Sequence, residues 1–461
     1  MGIKFGTDGW RDIIADKFTF ENVKKVAQAH AEHLKSQGGK SVVVGYDTRF
    51  MSEDFAKAVA EVFSSNGFRV FLSKGHCTTP GLSLATKKLE ADEGIMITAS
   101  HNTYKYNGYK VKSKYGGPAT VDTIKDIESR ISDSLEIKVG RCNTEDIDIN
   151  KIYVETLKSY FPPETFKQIQ LKVVHDPMYG ATMHLLRKIL EGTFVETLEI
   201  NSYRDAFFGF KHPEPIDKNL SLLKAKVVAT EANLGIANDG DGDRVGIVDE
   251  GGEFLSTQIV YALLLLHTLR YRKEDGIVAK TISTTYLADR IAKKEGRKIV
   301  KTPVGFKYIA DVFLKEKVAF GGEESGGYGF GFHIPERDGL LSGLLILEMM
   351  ILTGKSLIEL VDELFKEFGT AYYKREDLKV DGDEGRQLVK QLRENPIKEF
   401  NGEPVKEVDL TDGVKLIFED DSWVLFRASG TEPVLRVYVE TPSKEKTESF
   451  LHEAKKLVEV V

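Results

Sequence analysis

Short runs of β-branched residues alternate with stretches of helical periodicity along most of this 461-residue chain. In the first part, the sequence predicts buried strands at Lys40–Tyr46, Phe68–Leu72 and Glu93–Thr98. Between the first two, Ser52–Ser65 places its apolar side chains at helical spacing. Strands that alternate with helices build a mostly parallel sheet covered by helices, so this pattern restricts the fold to the α/β class.

The alternation restarts twice and then changes character. The second cycle contains one predicted helix, Ala181–Leu190. It also contains four predicted strands, which are Leu171–His175, Thr193–Ile200, Lys226–Thr230 and Arg244–Val248. The third cycle contains two predicted helices, Ser256–Leu269 and Tyr286–Lys294, and two predicted strands, Gly276–Lys280 and Val318–Phe320. Beyond Glu367, the sequence predicts three strands with alternating apolar residues, Gly413–Phe418, Ser422–Arg427 and Leu435–Glu440. A last helix is predicted at Lys444–Val458.

These patterns predict three similar mixed-sheet α/β domains and a smaller C-terminal α+β domain. We expect the domains to comprise residues 1–147, 148–250, 251–367 and 368–461. The length of the chain is ample for several separate cores.

The charge pattern and the apolar stretches restrict the partners. The net charge is −7, and the basic residues form no block, which argues against a nucleic-acid partner. The most apolar stretch, Leu340–Leu352, contains Glu348 and is too short to cross a bilayer, so it predicts a buried helix and no membrane partner. Two cysteines, Cys77 and Cys142, make no disulfide framework or metal-ligand set. The first ten residues lack the apolar segment of a signal peptide, and we expect a cytoplasmic protein.

A polar segment, Thr98–Asn102, follows one of the predicted strands. Ligands of open α/β sheets meet the carboxyl ends of the strands, so Ser100 is a candidate nucleophile or phosphate carrier. The alternative is that the Ser100 hydroxyl only satisfies hydrogen bonds in a turn. Lys110, ten residues further along the chain, could bind a phosphate or act as a general acid or base. The alternative is an ordinary solvated lysine.

The segment between the strands at 226–230 and 244–248 carries Asp239, Asp241 and Asp243, separated by glycines. These carboxylates can converge on one hard cation, because glycine lets the backbone fold tightly; an acidic hairpin tip is the alternative. An EF-hand is rejected, since Arg244 occupies the position that needs glycine and the flanks predict strands. Zinc is disfavoured because the loop contains no His or Cys. Magnesium is expected because it needs few protein ligands.

Two further loops contain groups that suit a sugar phosphate. In Gly321–Gly327, glycines surround Glu323 and Ser325, which could contact sugar hydroxyls. The loop Arg427–Pro433, with Arg436 beyond it, offers guanidinium and hydroxyl groups for a phosphate. The structural alternatives are a tight turn and a polar loop.

These four segments, in this order and spacing, resemble the α-D-phosphohexomutase family. The opening Phe5–Arg11 is similar to the family's N-terminal signature, and the resemblance covers nearly the whole chain. It implies four domains around a central cleft. Thr103 departs from the family, because many members have proline there, and this departure affects loop stiffness more than chemistry.

The resemblance also implies roles for individual residues. Ser100 matches the phosphorylated serine, whose phosphate would join the three aspartates as a magnesium ligand. Arg11, Lys110 and Arg244 match cationic residues around the reacting phosphate, and we expect Lys110, or else His101, to transfer the hydroxyl proton. The residues that would bind the sugar and the idle phosphate are Glu323, Ser325, Lys307, Arg427, Ser429, Gly430, Thr431 and Arg436.

The resulting hypothesis is a phosphohexomutase that interconverts hexose 1-phosphate and hexose 6-phosphate through phosphoserine and a hexose 1,6-bisphosphate, with one Mg²⁺ per chain. Glucose is favoured as the hexose; mannose, both sugars, or glucosamine are the alternatives. Two other classes remain: a metal-dependent sugar phosphatase, although such enzymes usually use two metals, and a non-catalytic sugar-phosphate binding protein. The sequence does not fix the oligomeric state, and a homodimer stays open.

Overall fold

The computed structural model describes residues 3–6, 9–140, 143–380, 384–428 and 434–459. These residues form two compact units. The first unit comprises Met1–Leu255, Phe313–Lys315 and Gly327–Leu357, and the second comprises Ser256–Val312, Glu316–Gly326 and Ile358–Val461.

The first unit begins with a mixed sheet of seven strands. These are β1 (Trp10–Ile13), β2 (Ser41–Tyr46), β3 (Arg69–Ser73), β4 (Glu93–Ile97), β5 (Tyr106–Ser113), β6 (Gly117–Pro118) and β7 (Thr144–Ile147). Their order is β1-β5-β4-β2-β3-β7, with β6 paired to β5. The accompanying helices are α1 (Phe20–Ser36), α2 (Ser52–Ser65), α3 (Thr79–Lys88) and α4 (Val121–Arg130).

Strand β2 explains why this sheet is covered on both faces. Val42 and Val44 belong to a core cluster with side chains of α1 and α2, whereas Val43 belongs to another cluster with side chains of α3. Neighbouring side chains of a strand point to opposite faces, so an uninterrupted valine run requires two apolar layers. Strands β2 and β4 are parallel, and their carboxyl ends therefore place the loops at Asp47 and Ser100 at one edge of the sheet.

A second sheet of the same unit carries the acidic loop. Its strands and helices are α5 (Ile149–Ser159), β8 (Leu171–Asp176), α6 (Leu185–Ile189), β9 (Val195–Glu199), α7 (Ser221–Ala229), β10 (Leu234–Asn238), β11 (Val245–Val248) and β12 (Phe254–Leu255). The strand order is β12-β11-β10-β8-β9. Strand β10 is parallel to β8 and antiparallel to β11, so the chain reverses direction within the acidic loop.

The strand predicted at Lys226–Thr230 is wrong, because this segment ends helix α7. Leu223 and Val227, four residues apart, are buried together, whereas Val228 is exposed, which is the periodicity of a helix. The two adjacent valines suggested a strand, but the strand of this region is β10. The helix predicted at Ala181–Leu190 is also shorter than expected, since His184 has a left-handed backbone at its start.

The following part of the chain contains α8 (Thr257–Leu266), β13 (Ile277–Thr281), α9 (Leu287–Lys294), β14 (Ile299–Thr302), α10 (Phe306–Lys315), β15 (Val318–Gly322), β16 (Tyr328–Phe330), α11 (Gly339–Thr353) and α12 (Leu357–Phe368). In the second unit, β13 pairs in parallel with both β14 and β15. Helix α11 belongs to the first unit and is the buried helix that the sequence predicts. Within the described ranges, no helix is both long and apolar enough to cross a membrane.

The second unit ends with an antiparallel sheet in the order β17-β23-β22-β21-β20 and a separate hairpin of β18 and β19. Its elements are β17 (Tyr372–Lys379), α13 (Glu384–Glu394), β18 (Glu399–Phe400), β19 (Glu403–Pro404), β20 (Glu407–Asp409), β21 (Val414–Ile417), β22 (Trp423–Ala428), β23 (Val434–Thr441) and α14 (Lys444–Glu459). The predicted fold class, mixed α/β sheets followed by an α+β domain, is confirmed.

Candidate active site

Ser100 lies in the loop after β4 and is 1% exposed. Its φ is +51°, a left-handed conformation that is uncommon for residues other than glycine and costs about 1–3 kcal/mol. The Ser100 N–H donates to Thr98 Oγ1 at 2.9 Å, and the Ser100 hydroxyl donates to Asp239 Oδ2 at 2.7 Å. The loop therefore holds the hydroxyl against the acidic loop of the neighbouring sheet.

The acidic loop between β10 and β11 brings its three carboxylates together. One oxygen from each of Asp239, Asp241 and Asp243 lies within 4.8 Å of the others, and all three residues are buried. Tight packing requires the intervening glycines: a Cβ on Gly240 would lie 2.5 Å from the Ser100 carbonyl oxygen, and Gly242 has φ +76°. The prediction that glycine lets these carboxylates converge is thus consistent with the geometry.

Two of the carboxylate oxygens have no hydrogen-bond partner among the described residues. These buried atoms are Oδ1 of Asp241 and Oδ1 of Asp243. Buried acceptors without donors are costly, and hard oxygen ligands of this kind suit Mg²⁺. The donor set therefore fits a magnesium ion, with one oxygen from each aspartate to hold it.

Two cations compensate the charge of the acidic loop. Lys110 Nζ, on β5, donates to Asp241 Oδ2 at 2.9 Å and to Asp243 Oδ2 at 3.3 Å. Arg337 Nη2 donates to Asp243 Oδ2 at 2.6 Å. Arg337 is a residue that the sequence reasoning missed, since it lies 94 positions from its partner and no local pattern connects the two.

Burial and neighbouring charges shift the pKa values of Asp239 and Asp241 in opposite directions. Burial, and then the charges of Asp243 and Asp241, raise the pKa of Asp239 well above its usual range. Burial also acts to raise the pKa of Asp241, but Lys110 and the Thr79 hydroxyl outweigh it and lower that pKa. A bound cation would favour the ionised form of both groups.

The remaining residues predicted near the reacting phosphate lie around Ser100. His101 Nδ1 is 3.4 Å from Ser100 Oγ, and burial, followed by nearby cations, lowers the pKa of His101 well below its usual range. Arg11, on β1, donates to Asn102 Oδ1 at 2.8 Å. Arg244 donates to Glu214 at 3.3 Å, while its backbone N–H donates to Asp239 Oδ1 at 3.1 Å. Within the N-terminal signature, Thr7 and Asp8 lie outside the described residues.

A second missed residue, Arg49, holds the Ser100 loop. Its fully buried guanidinium donates to Asp47 and to the backbone carbonyls of Ser100, Asn102, Thr103 and Tyr106. A signal was present in the sequence, because Asp47 and Arg49 directly follow the strand β2. The sequence reasoning overlooked it since neither residue belongs to one of the four motifs.

In the second unit, the loop after β15 places Glu323 beside Ser325, whose hydroxyl donates to Glu323 Oε1 at 2.8 Å. The carboxylate of the neighbouring Glu324 makes a buried hydrogen bond within the protein, since its Oε2 accepts from the Ser283 hydroxyl at 2.7 Å. The two adjacent glutamates therefore have different surroundings. Lys307 lies in the first turn of α10, with its Nζ 5.1 Å from the ring centroid of Tyr308.

The same unit brings two guanidinium groups together on neighbouring strands. Arg427 on β22 lies directly opposite Arg436 on β23. Asp412 accepts from Arg427 Nε at 2.9 Å, and Asp377 Oδ2 lies 3.5 Å from Arg436 Nε. Like charges opposite each other are unfavourable, so a bound anion would stabilise this pair. Ser429, Gly430 and Thr431 of the predicted phosphate loop lie outside the described residues, as does Cys142.

The structure thus gathers Ser100, His101, Lys110, Arg11, Arg244 and the three aspartates around one point of the first unit. The predicted sugar and phosphate residues with described positions, Glu323, Ser325, Lys307, Arg427 and Arg436, belong to the second unit. A serine hydroxyl beside three buried carboxylates and buried cations can carry a phosphoryl group, because the cations can offset charge that develops during transfer.

Comparison with known proteins identifies the family. Models of the four domains of phosphoglucomutase/phosphomannomutase match this chain: alpha/beta/alpha domain I at residues 2–138, domain II at 151–252, domain III at 257–368 and the C-terminal domain at 376–457. Thermococcus kodakarensis has a phosphoglucomutase/phosphomannomutase that is 35% identical over 467 residues, covering 100% of this chain and 99% of that protein.

Two other relatives carry different substrate names. A Pyrococcus abyssi protein described as a "probable phosphoglucosamine mutase" is 34% identical, covering 99% of this chain and 98% of its own. A crystal structure from Thermus thermophilus, whose assignment as a phosphomannomutase is provisional, superposes with a TM-score of 0.89 at 38% identity and covers 100% of this chain and 99% of that one. The chain therefore belongs to the phosphoglucomutase/phosphomannomutase family of phosphohexomutases, which are isomerases.

Proposed function

We propose that this protein interconverts hexose 1-phosphate and hexose 6-phosphate by way of a phosphate on Ser100, with glucose as the preferred hexose. The observation that carries this proposal is the hydrogen bond of 2.7 Å from the Ser100 hydroxyl to Asp239. Asp239 belongs to the buried triplet, and two partnerless oxygens of that triplet suit a hard cation. A turn serine without a function would have no need of a cation site beside it.

Asp239, Asp241 and Asp243 would hold one Mg²⁺, with a phosphate oxygen on Ser100 as a further ligand. Bound there, the ion would supply Lewis-acid stabilisation of the charge on the transferring phosphoryl group. Lys110 and Arg337 would offset the remaining negative charge of the aspartates. Arg11, which donates to Asn102 of the Ser100 loop, and Arg244, whose charge acts on His101, would orient the phosphate oxygens.

In the first half of the reaction, the free hydroxyl oxygen of the hexose monophosphate attacks the phosphorus on Ser100. The bond between phosphorus and Ser100 Oγ breaks, and the product is a hexose 1,6-bisphosphate. Lys110 or His101 relays the hydroxyl proton to the departing Ser100 Oγ, so the relaying group ends in the protonation state in which it began. The bisphosphate then reverses its orientation, and its other phosphoryl group returns to Ser100 Oγ while a proton returns to the sugar oxygen. No net water or phosphate is consumed.

Residues of the second unit would bind the part of the substrate that does not react. Glu323 and Ser325 would contact sugar hydroxyls, and Lys307 would add a positive charge. The idle phosphate would bind at the pair formed by Arg427 and Arg436, with Ser429, Gly430 and Thr431 as further contacts. Support for an anion site comes from the direct cross-strand pairing of the two guanidinium groups.

The Glu-Glu-Ser-Gly-Gly form of the sugar loop resembles that of glucose- and mannose-phosphate mutases more than that of glucosamine-phosphate mutases, and of the first two sugars we favour glucose. The relatives carry the names of all three activities, and their names alone therefore leave the choice open. Mannose, or both sugars, is the second candidate.

The test is a coupled assay on the 1-phosphates of glucose, mannose, glucosamine and N-acetylglucosamine, with free phosphate measured in the same samples. We expect fastest conversion of glucose 1-phosphate to glucose 6-phosphate, loss of this activity in Ser100→Ala, and no stoichiometric phosphate release. The matched control is Ser132→Ala, an exposed serine of the same unit, which should behave as wild type. Phosphate release without isomerisation would indicate a phosphatase, and full activity of Ser100→Ala would contradict the mechanism.

We also propose that the chain divides into domains at residues 1–147, 148–250, 251–367 and 368–461, and that it is cytoplasmic. The four family models, which start at residues 2, 151, 257 and 376, favour boundaries in these neighbourhoods. Strand β12 extends to Leu255, so limited proteolysis should resolve whether cleavage occurs near 250 or beyond β12. Cleavage inside a sheet would contradict the division.

A further inference from the structure

Arg49 is buried with a complete set of hydrogen-bond acceptors. Its Nε donates to Asp47 Oδ2 at 3.0 Å. Its two terminal nitrogens donate to four backbone carbonyls at 2.5–3.1 Å, those of Ser100, Asn102, Thr103 and Tyr106. An arginine has five N–H groups, and each has an acceptor here. Three of these carbonyls belong to the loop that carries Ser100, and the fourth, of Tyr106, belongs to the first residue of β5, where the loop ends.

This arrangement differs from that of an ordinary buried ion pair. A buried charge is expensive unless it is paired and fully hydrogen-bonded, and burial lowers the pKa of Arg49. One carboxylate, that of Asp47, balances the guanidinium, so most of its hydrogen-bonding capacity is directed at the loop. Asp47 itself also accepts from the hydroxyls of Thr98 and Ser52, at 2.6 and 2.8 Å. The position of Arg49 is thereby fixed to the ends of β2 and β4.

The other side of the guanidinium is covered by Phe208, whose ring centroid lies 4.8 Å from the Arg49 Cζ. The adjacent Thr48 hydroxyl donates to the Tyr179 carbonyl at 2.8 Å. Both contacts join the Arg49 segment to the part of the first unit that carries the acidic loop. The segment therefore links the two loops that form the site.

The Ser100 carbonyl shows how closely the loop is confined. It accepts from Arg49 Nη2 at 2.5 Å, and a Cβ at Gly240 would lie 2.5 Å from it. Ser100 also keeps a left-handed backbone conformation, which persists only where the surroundings enforce it. The direction of the Ser100 hydroxyl, toward Asp239, depends on that backbone conformation.

We infer that Arg49 is a positioning residue for phosphoryl transfer: it holds the loop of Ser100 in the one conformation that aims the hydroxyl, or its phosphate, at the metal ligands. The inference rests on the proposed function of Ser100. Arg49 does not contact the reacting atoms; it acts through the backbone of the loop. Lysine cannot replace it, because an ammonium has three N–H groups and cannot reach four carbonyls and a carboxylate.

The experiment compares Arg49→Lys with Val59→Ala, a cavity-forming change in α2 that lowers stability without touching the loop. Both are assayed for kcat and KM on glucose 1-phosphate, and for the rate at which glucose 1,6-bisphosphate phosphorylates the protein, read by intact mass. A loop displaced by about 1 Å costs roughly 100-fold in rate. We therefore expect Arg49→Lys to lose about 100-fold in kcat and in phosphorylation rate, with KM within about threefold. Val59→Ala should keep wild-type kcat.

A second variant covers the case in which Arg49→Lys fails to fold. Phe208→Leu keeps the guanidinium but removes the ring over it, and we expect a fall of about threefold or more in kcat without a change in KM. If wild-type Ser100 becomes phosphorylated while Arg49→Lys, or failing it Phe208→Leu, matches Val59→Ala in both rates, the inference about Arg49 is wrong and the proposed function stands. If wild-type Ser100 accepts no phosphate, the proposed function itself is wrong.

Discussion

Replacement of Asp241 by asparagine is expected to weaken magnesium binding with little change in the shape of the site. In the wild type, the two oxygens of Asp241 have different tasks. Oδ2 accepts from Lys110 Nζ at 2.9 Å and from the Thr79 hydroxyl at 2.5 Å, whereas Oδ1 is buried and has no hydrogen-bond partner in the part of the chain that the structure describes. An amide has one oxygen, so asparagine can face either Lys110 or the cation with it, and its NH₂ group must face the other.

The expected fall in Mg²⁺ affinity follows from the loss of a charged carboxylate ligand. Removing a group that only supports a metal ligand already costs 10–100-fold in affinity, so removing a charged ligand should cost at least about 100-fold. A 100-fold loss corresponds to about 2.7 kcal/mol of binding free energy. At a Mg²⁺ concentration of about 100 times the wild-type Kd, the ion stabilises the wild type by about 2.7 kcal/mol and Asp241→Asn by only about 0.4 kcal/mol.

The assay is isothermal titration of EDTA-treated protein with MgCl₂, supported by thermal unfolding with and without Mg²⁺. The matched control is Asp176→Asn. Asp176 is a buried carboxylate at the end of β8 that accepts from the Met178 N–H and the Asn201 amide. This control should lose stability but keep wild-type Mg²⁺ affinity. Wild-type affinity in Asp241→Asn, or an equal loss in Asp176→Asn, would refute the assignment of the triplet as the metal site.

Two further substitutions test the cationic groups. Lys110→Met should lower kcat by at least about 100-fold, because it removes both a proton-transfer candidate and the counter-charge of two aspartates, and unchanged kcat at saturating substrate would exclude this role. Arg427→Lys should raise KM by about tenfold with a smaller change in kcat, because an ammonium cannot bind phosphate in the bidentate way of guanidinium. Lys406→Arg, at an exposed position of the same domain, is its control, and an equal KM for all three proteins would contradict a phosphate site at Arg427.

Much of the fold could be predicted because strands such as β2 and β4 are buried on both faces and helices such as α2 and α9 are amphipathic. Helix α2 has the predicted limits, Ser52–Ser65, since its apolar spacing and its flanks are both local signals. Helix α7 was mistaken for a strand because Val227 and Val228 favour strands locally, while the burial of Leu223 and Val227 against the sheet decided in favour of a helix.

In the candidate site too, residues that form a local sequence pattern could be predicted, and residues that act through distant contacts could not. Asp239, Asp241 and Asp243 are evident from the sequence, because alternate acidic residues between glycines form a local pattern. The role of Arg337 could not be deduced, since its partner Asp243 lies 94 residues away. For Arg49, the position next to Asp47 after β2 was a local signal, but its contact with the Ser100 carbonyl, 51 residues away, was not evident. Such contacts depend on which strand ends meet at one sheet edge, and only the folded chain determines that.

The phosphorylation state of Ser100 tests the central claim most directly. Wild type and Ser100→Ala are incubated with glucose 1,6-bisphosphate and Mg²⁺, and each is analysed by intact mass and by peptide mapping. The proposed mechanism predicts one phosphoryl group on the wild type, located at Ser100 and still present after turnover of glucose 1-phosphate because each cycle returns one to Ser100, and none on Ser100→Ala. A wild type that turns over glucose 1-phosphate without ever carrying phosphate, or a phosphate on another residue, would contradict it.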